Sequence, residues 1–306
     1  MNASKTEIPL VSIVSINYNG AAITCELLAS LEKISYPNIE VIIVDNGSVE
    51  DASIIKQKYP WIIYLRSEKN LGFAGGNNLG FKQAKGKYFL MLNNDTEVRE
   101  NFLEPMVNMM ERDEMIGALS PKIEFHHSPG MLQFAGFEPI NKYTGRGNAI
   151  GSHQQDDGRF DVSMRTSRAH GAAMMISRKA VGEIGLMADL YFLYYEEMDY
   201  CERIKNAGYS IWYCAQSKIY HKESLSTGKL STLKTYYHTR NRILFQRRNV
   251  SGLPLLICLV YFTFISIPKH TITYLMKGKL DMLKAFYKGV SWNITHYNIY
   301  HNETLT

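Results

Sequence analysis

The first hundred residues alternate four times between a short apolar run and a polar turn. The runs are rich in β-branched, aliphatic and aromatic side chains and lie at residues 11–16, 39–44, 61–65 and 87–91. Segments of helical length separate them, at residues 21–33, 51–59 and 77–84. Short crossovers of this kind join parallel strands, and helices then cover both faces of the sheet. The pattern predicts an α/β fold with a doubly wound, mostly parallel sheet flanked by helices.

The rest of the chain predicts a continuation of this core and then an appendage. With 306 residues, 45% of them hydrophobic, the chain has the length of one large domain, with or without an extension. Further core elements are predicted at 116–123, 170–177, 198–207 and 211–214, with Gly208 ending the helix. Residues 141–165 lack periodicity and predict a flexible loop over the site. We expect an N-terminal extension (1–9), a main α/β domain (10–230) and a basic and apolar helical tail (231–306).

Two features favour a cytosolic location for the main domain. The four cysteines are scattered, without a CxxC pair or the spacing of a zinc site, so we expect reduced thiols. Residues 1–9 are polar and lack the apolar core of a signal peptide.

Polar side chains follow each predicted strand. The carboxyl ends of parallel strands share one edge of the sheet, so Asn17, Asn19, Asp45 and residues 93–95 are expected to border one crevice. The Asp45 carboxylate can accept hydrogen bonds from a base N–H or a ribose hydroxyl.

The glycine-rich segment 70–78 is expected to lie at the same crevice. Gly72, Gly75 and Gly76 would let the backbone approach a ligand, with Asn77 beside them. The chain contains neither a GxGxxG fingerprint after its first strand nor a Walker A motif, which argues against dinucleotide binding and ATP-driven phosphoryl transfer.

The fourth strand runs directly into Asn93, Asn94 and Asp95. Hard divalent cations prefer oxygen ligands and phosphate oxygens, so an acidic strand tip can hold a cation against a diphosphate. The alternative is a polar turn in which Asp95 is the N-cap of a helix starting at residue 97.

A carboxylate cluster and one histidine are the remaining candidates for chemistry. Glu196, Glu197 and Asp199 follow an aromatic run, and mutual repulsion and desolvation would raise the pKa of such carboxyls. That suits a general base, whereas the alternative is an acidic helix N-terminus stabilised by the helix dipole. His221 follows a strand; it is either structural or, if close to Asp95, a ligand of the same cation.

The C-terminal region has a different charge. From residue 231 onward there are ten Lys and Arg against two Asp and Glu, whereas the first 230 residues carry 24 against 27. Residues 253–268 contain no charge, but 16 residues fall short of the ~20 that span a bilayer. We expect an interfacial membrane anchor, with a re-entrant segment, a marginal span or a buried helix as alternatives. The flanking basic residues are Arg240, Arg242, Arg247, Arg248, Lys277, Lys279, Lys284 and Lys288.

Taken together, these segments resemble the family 2 glycosyltransferases of the GT-A fold, in particular the bacterial rhamnosyltransferase-like branch. The matching pieces follow one another in order over residues 10–250. They are 11–19, 44–48, 70–78, 92–95, 171–174, 195–203 and His221. Asn93 stands where the family's Asp-x-Asp motif has its first Asp, and residues 196–197 are Glu-Glu where the family usually has Glu-Asp.

The resemblance implies an inverting transfer from a UDP-, dTDP- or GDP-sugar, with Mg²⁺ or Mn²⁺ held by Asp95 and His221. Glu197, or alternatively Glu196, would deprotonate the acceptor hydroxyl. The implied donor-binding residues are Asn17, Asn19, Asp45, Gly72, Gly75, Asn77 and Asn94.

The same resemblance implies partners and a location. It suggests rhamnose as the sugar and a saccharide, in particular a lipid-linked one, as the acceptor, in cell-surface polysaccharide synthesis. The enzyme would lie peripherally on the cytoplasmic face of the inner membrane, and no nucleic acid partner is expected. Alternatives are an inactive nucleotide-sugar-binding scaffold and a metal-dependent nucleotidyltransferase.

Overall fold

The computed structural model describes residues 7–223 and 231–297. Within these residues eleven strands form one mixed sheet. The strands are β1 Val11–Asn17, β2 Ile39–Asn46, β3 Ile63–Ser67, β4 Tyr88–Leu92, β5 Thr96–Val98, β6 Ile116–Phe125, β7 Met131–Phe134, β8 Gln154–Gln155, β9 Met164–Arg165, β10 Ala173–Ser177 and β11 Ser210–His221. The α-helices are α1 Ala21–Leu31, α2 Ser53–Lys58, α3 Gly72–Gln83, α4 Leu103–Arg112, α5 Arg178–Ile184, α6 Glu196–Asn206, α7 Thr232–Asn249, α8 Gly252–Tyr261, α9 Ile267–Met276 and α10 Leu280–Thr295.

The sheet has a parallel half and a mixed half. Its main order is β3-β2-β1-β4-β10-β6-β11-β5. The first four strands are parallel, as predicted, with Asn17 beside Asp45 in the register. Strand β10 then enters antiparallel between β4 and β6, while β6 and β11 pair in parallel.

Helices cover both faces of the sheet, because successive strand residues point to opposite sides. In β2, Val41 and Ile43 belong to the core on one face, together with residues of α1, α2 and α4, whereas Ile42 and Val44 belong to the core on the other face, together with residues of α3, α5 and α6. The α/β fold class and its doubly wound layering are therefore confirmed.

Two local predictions near the sheet edge were wrong. Helix α3 begins at Gly72 instead of residue 77, because Asn70 Oδ1 and Asn46 Oδ1 accept hydrogen bonds from the backbone N–H groups of Gly72 and Leu71. The alternative in which Asp95 caps a helix starting at residue 97 is also wrong, because residues 96–98 form β5, which pairs with the end of β11.

The segment 141–165 is more ordered than a free loop. Part of it forms β8 and β9, which pair with β7 and β11. The carbonyl of Thr144 accepts hydrogen bonds from Arg242 on α7. This segment is thereby tied to the C-terminal helices.

Helix α7 packs on the catalytic domain through its arginines. Arg240 donates to the carbonyls of Leu190 and Tyr191, and Arg248 pairs with Asp199 at 2.9 Å. Arg242 and Arg247 also bond to backbone carbonyls. The prediction that these arginines face an anionic surface is corrected for Arg248, whose charge is paired with Asp199; Arg240, Arg242 and Arg247 bond to uncharged carbonyls.

Residues 252–276 form one helical segment, in which a π-helical turn at Phe262–Ser266 joins α8 to α9. This 25-residue segment is long and apolar enough to cross a membrane, judged by length and composition alone. The helix therefore extends beyond the 16-residue uncharged run. Its exposed apolar side chains include Leu253, Leu256, Val260, Phe264, Ile265, Ile272, Leu275 and Met276.

Candidate active site

A chain of hydrogen bonds joins the ends of β1, β2 and β4. Asn94 Nδ2 donates to Thr24 Oγ1 at 3.0 Å, and Thr24 Oγ1 donates to Asn17 Oδ1 at 2.9 Å. Asn17 Nδ2 in turn lies 3.2 Å from both Asp45 Oδ1 and Ser48 Oγ. The predicted strand-edge residues are therefore brought together, held by one another's side chains.

The Asp45 carboxylate is completely buried at this edge. Its Oδ2 atom lies 3.5 Å from Nη1 of the half-exposed Arg66 and makes no hydrogen bond among the described residues. Asn19 adopts a positive φ of 50°, with its amide oxygen accepting from the N–H groups of Val49 and Glu50. Asn19 thus shapes the loop after β2.

The glycine-rich segment has a structural reason for its composition. Gly72 has φ +73°, and a Cβ there would lie 2.2 Å from the carbonyl oxygen of Phe192. Gly75 and Asn77 lie inside α3, where Asn77 Nδ2 donates to Phe73 O. The predicted loop is corrected to the start of α3, where Gly72 lets the helix approach the segment preceding α6; contact of Gly72 and Gly75 with a ligand stays a prediction.

Asp95 and His221 lie side by side at the tips of β4 and β11. Asp95 Oδ1 is 3.1 Å from His221 Nε2, and both side chains are buried. Gln133 Oε1 is 2.8 Å from the other ring nitrogen, Nδ1. Both nitrogens therefore face acceptor oxygens, and a neutral imidazole with one N–H can donate to just one of them. The Asp95 contact is favourable only when a proton or a cation lies between the two atoms.

Glu196 and Glu197 begin α6 and differ in environment. Glu196 is buried, and burial together with the adjacent Glu197 charge holds its pKa well above the ordinary value. Glu197 is partly exposed; burial raises its pKa, and the positive charge of Arg168 opposes the rise. Both carboxyls therefore have a pKa above the ordinary value, which suits a proton acceptor.

Glu197 adjoins the strand end that carries Asp95. A Cβ at Gly171 would lie 3.7 Å from Glu197 Cγ, and the carbonyl of the next residue, Ala172, accepts a hydrogen bond from the Asn93 N–H at 2.9 Å. Residues 170–173 therefore separate the predicted base from the predicted metal ligand by one short stretch of backbone.

A family comparison covers the strand ends that carry Asn17, Asp45 and Asp95. The model of glycosyl transferase family 2 matches residues 12–185, which is more than half of the chain. The chain belongs to this family. It is accordingly a glycosyltransferase, and the predicted enzyme class is confirmed.

Two curated relatives of this glycosyltransferase cover most of its length. The low-salt glycan biosynthesis hexosyltransferase Agl10 of Haloferax volcanii is 26% identical over 245 residues, covering 76% of this chain and 74% of the relative. The N-acetylglucosaminyl-diphospho-decaprenol L-rhamnosyltransferase of Mycobacterium tuberculosis is 21% identical over 265 residues, covering 79% and 86%.

A solved structure shares the fold. The mannosyltransferase of Pyrobaculum calidifontis in complex with GDP-Man and Mn²⁺ superposes with a TM-score of 0.58. The match covers 96% of this chain and 77% of that one, at 15% sequence identity. At that identity the likeness establishes the fold, which is the predicted GT-A type.

One predicted carboxylate of the glycosyltransferase is structural. Asp199 is buried and accepts hydrogen bonds from Tyr191 Oη, Arg248 Nε and Asn249 Nδ2, at 2.9–3.0 Å. It thereby joins α6 to α7.

Several side chains of the site were missed by the sequence analysis. His170 packs edge-on against His221 with ring centroids 6.3 Å apart, and burial lowers its pKa to about 3. Gln133 orients His221, and Asn241 holds the backbone before α6. Gln133 and Asn241 lie in segments without a motif, so their positions in the sequence do not predict these roles. His170 directly precedes residues 171–174, which are one of the segments that resemble the family.

Proposed function

We propose that this family 2 glycosyltransferase moves a sugar from a nucleotide-sugar donor to an acceptor hydroxyl in a single displacement with inversion. The observation that carries the proposal is the proximity of Glu197 to Gly171, beside the strand end that bears the Asp95–His221 pair. A proton acceptor and an anion-binding locus then lie on the same crevice, as a displacement at an anomeric carbon requires.

The nucleoside half of the donor would bind at the ends of β1 and β2. The buried Asp45 Oδ2 makes no hydrogen bond among residues 7–223 and 231–297, which suits an acceptor for a base N–H. Asn17 and Thr24 hold that carboxylate in place through their hydrogen bonds. The mannosyltransferase with the shared fold contains GDP-Man, which supports a nucleotide-sugar donor for this chain.

The metal would be Mg²⁺ or Mn²⁺. Asp95 Oδ1 and His221 Nε2 are an oxygen and a nitrogen ligand already 3.1 Å apart, with Gln133 on the far side of the ring, so these residues fit a divalent cation. Within residues 7–223 and 231–297 no third His, Cys, Asp or Glu joins them. When bound, the cation would neutralise the charge of the leaving diphosphate.

Glu197 is the base we propose, in preference to Glu196. Its side chain is partly exposed, whereas Glu196 is 3% exposed, and burial and the adjacent Glu197 charge raise the pKa of Glu196 well above its ordinary value. Glu197 would take the proton of the acceptor hydroxyl while the hydroxyl oxygen attacks the anomeric carbon. Arg168 would help to keep Glu197 ionised.

The acceptor would be a lipid-linked saccharide at the cytoplasmic face of the inner membrane. The exposed apolar side chains of residues 252–276 support membrane association. The mycobacterial relative is named for a polyprenyl diphosphate-linked acceptor and a rhamnosyl group. Rhamnose and cell-surface polysaccharide synthesis are therefore the sugar and the process that we propose for this chain.

Donor binding and transfer test the proposal separately. Purified protein is screened by thermal shift against UDP-, dTDP- and GDP-sugars with and without Mn²⁺, since a ligand of the folded state raises its stability. We expect stabilisation by one nucleotide class and release of the nucleoside diphosphate with an acceptor. Binding without turnover would indicate a scaffold, and pyrophosphate release a nucleotidyltransferase; either result would refute the proposal.

A further inference from the structure

A cavity of about 250 Å³ lies between the start of α6 and the C-terminal helices. Tyr195 closes it on the catalytic side, and Lys234, His238 and Arg242 of α7 line its length. His270 of α9 lines the opposite wall, on the apolar segment 252–276. The cavity therefore connects the residue before Glu196 with the segment proposed to meet the membrane.

The lining of this cavity is cationic. Lys234 and Arg242 carry positive charge, and no Asp or Glu is among the lining residues in the described part of the chain. Arg242 bonds to the neutral carbonyl of Thr144, and burial lowers its pKa. Hydroxyl groups of Ser231, Thr235 and Thr239 also line the space. Lysine, arginine and hydroxyl groups together are the side chains that bind phosphate oxygens.

The size and position of the cavity restrict its ligand. At about 250 Å³ it is smaller than the ~300–1,000 Å³ of pockets that enclose a drug-sized ligand, so a head group fits and a lipid chain does not. The neighbouring Ile272, Leu275 and Met276 are more than half exposed, at 56%, 53% and 83%, and offer an apolar path out of it.

We propose that this cavity binds the phosphate groups of a membrane-embedded prenyl diphosphate acceptor. The inference rests on the proposed function. With the phosphates on Lys234 and Arg242, the lipid chain leaves along α9 and the first sugar passes Tyr195 toward Glu197. His238, whose pKa burial lowers to about 4, is a neutral hydrogen-bonding group in this site. The cavity thereby sets the distance between the membrane surface and the reacting hydroxyl.

Farnesyl diphosphate is the probe, with binding measured by calorimetry. We expect Lys234→Ala to weaken its binding at least tenfold, Lys234→Glu to weaken it further, and Lys234→Arg to retain most of it. Lys33→Ala, an exposed lysine on the catalytic domain, is the matched control and should bind as the native protein does. Equal affinity in the native protein, Lys234→Ala and Lys234→Glu would overturn the proposal.

Further binding experiments distinguish a prenyl diphosphate from other ligands that carry phosphate groups. Weaker binding of inorganic pyrophosphate than of farnesyl diphosphate supports a lipid ligand; equal binding overturns it. An equal loss of binding to phosphatidylglycerol vesicles in Lys234→Ala would indicate a general lipid surface instead. Loss of farnesyl diphosphate binding in Asp95→Asn would assign the ligand to the donor site and also overturn the proposal.

Donor binding distinguishes a failure of this inference from a failure of the proposed function. The Lys234 variants are screened with the same nucleotide sugars and Mn²⁺. Native donor stabilisation together with farnesyl diphosphate binding that is insensitive to Lys234 refutes the cavity assignment alone. Absence of any donor response in the native protein refutes the proposed function. In transfer assays, Lys234→Ala should raise KM for the lipid acceptor and leave KM for the donor unchanged.

Discussion

Asn241 Nδ2 lies 2.8 Å from the carbonyl oxygen of Tyr194 and donates a hydrogen bond to it. The same amide group lies 2.9 Å from Tyr191 O and 2.8 Å from Leu193 O. Tyr194 and Tyr195 both adopt positive φ angles, of 69° and 77°, directly before Glu196. Each such residue costs ~1–3 kcal/mol, so surrounding contacts must maintain the conformation. One buried amide on α7 therefore supports the backbone that carries the predicted base.

We expect Asn241→Asp to inactivate the enzyme more strongly than Asn241→Ala. A carboxylate would face three carbonyl oxygens with no proton to donate, whereas alanine only removes the bonds. A shift of ~1 Å at Glu197 lowers kcat on the order of 100-fold. Steady-state kinetics should show reduced kcat with unchanged donor KM. Asn101→Asp, at an exposed position, is the control; native kcat in Asn241→Asp would exclude the positioning role.

Replacing Glu197 by Gln should lower kcat by ~10²–10⁴-fold, the usual contribution of a general base. Donor binding in the thermal-shift assay should persist. Glu196→Gln, its matched neighbour, should keep most of the activity, because burial disfavours the ionised form of Glu196. If Glu196→Gln is the inactive variant instead, the two roles must be exchanged.

The same assignment predicts a pH–rate profile. Glu197 accepts a proton only when ionised, and its pKa is raised above the ordinary 4.5 by burial. The activity should therefore rise with pH along an acidic limb centred above 4.5. Glu197→Gln should remove this limb from the residual rate.

Glu196 makes a prediction about stability. Its pKa is raised in the folded protein, so between the unfolded and folded pKa values the folded state binds the extra proton. The free energy of unfolding must then fall as pH rises through that interval. Glu196→Gln cannot lose a proton, so its melting temperature should exceed that of the native protein at pH 8 and match it near pH 4. If the melting temperatures of Glu196→Gln and the native protein differ by the same amount from pH 4 to pH 8, the pKa of Glu196 is not raised by folding.

Asp95 and Gln133 make a prediction about metal dependence. Asp95→Asn removes the carboxylate beside His221, and activation of transfer by Mn²⁺ should be lost. Gln133→Leu leaves the metal ligands in place but frees His221 Nδ1, which should weaken the Mn²⁺ activation constant ~10–100-fold. Gln57→Leu, at an exposed helix position, is the control. Unaltered Mn²⁺ activation in both Asp95→Asn and Gln133→Leu would exclude this site.

The parallel half of the fold could be predicted because its signals are local. Each strand is an apolar run, and each polar tip follows directly, so Asn17, Asp45 and Asp95 were assigned to one edge. The start of α3 was predicted wrongly because it depends on Asn46, the last residue of β2, whose Oδ1 accepts a hydrogen bond from the Leu71 N–H. Gln133 acts on His221 from 88 residues away, a relation that no local pattern encodes.

The C-terminal arginines also show that a local sequence pattern does not reveal contacts between distant residues. Their density predicted an anionic partner outside the protein, but Arg248 binds Asp199 across 49 residues. Charge composition does not reveal which charges find partners during folding. Residues 253–268 were predicted to be an apolar segment. The helical segment continues through α9 to residue 276, which the sequence did not indicate because Lys269 ends the uncharged run.

The last prediction tests the apolar segment 252–276 as a membrane-binding element. Leu256 and Phe264 are exposed at 58% and 73%, so aspartates there should not disturb the protein core. An Asp in the apolar region of a bilayer costs ~2.5–3.5 kcal/mol, so Leu256→Asp/Phe264→Asp should reduce co-flotation with anionic vesicles at least tenfold. Val49→Asp, equally apolar and exposed but on the catalytic domain, should float as the native protein does. The double variant should keep its donor thermal shift, which shows that the domain is folded. Undiminished flotation of the folded double variant would mean that another surface binds the membrane.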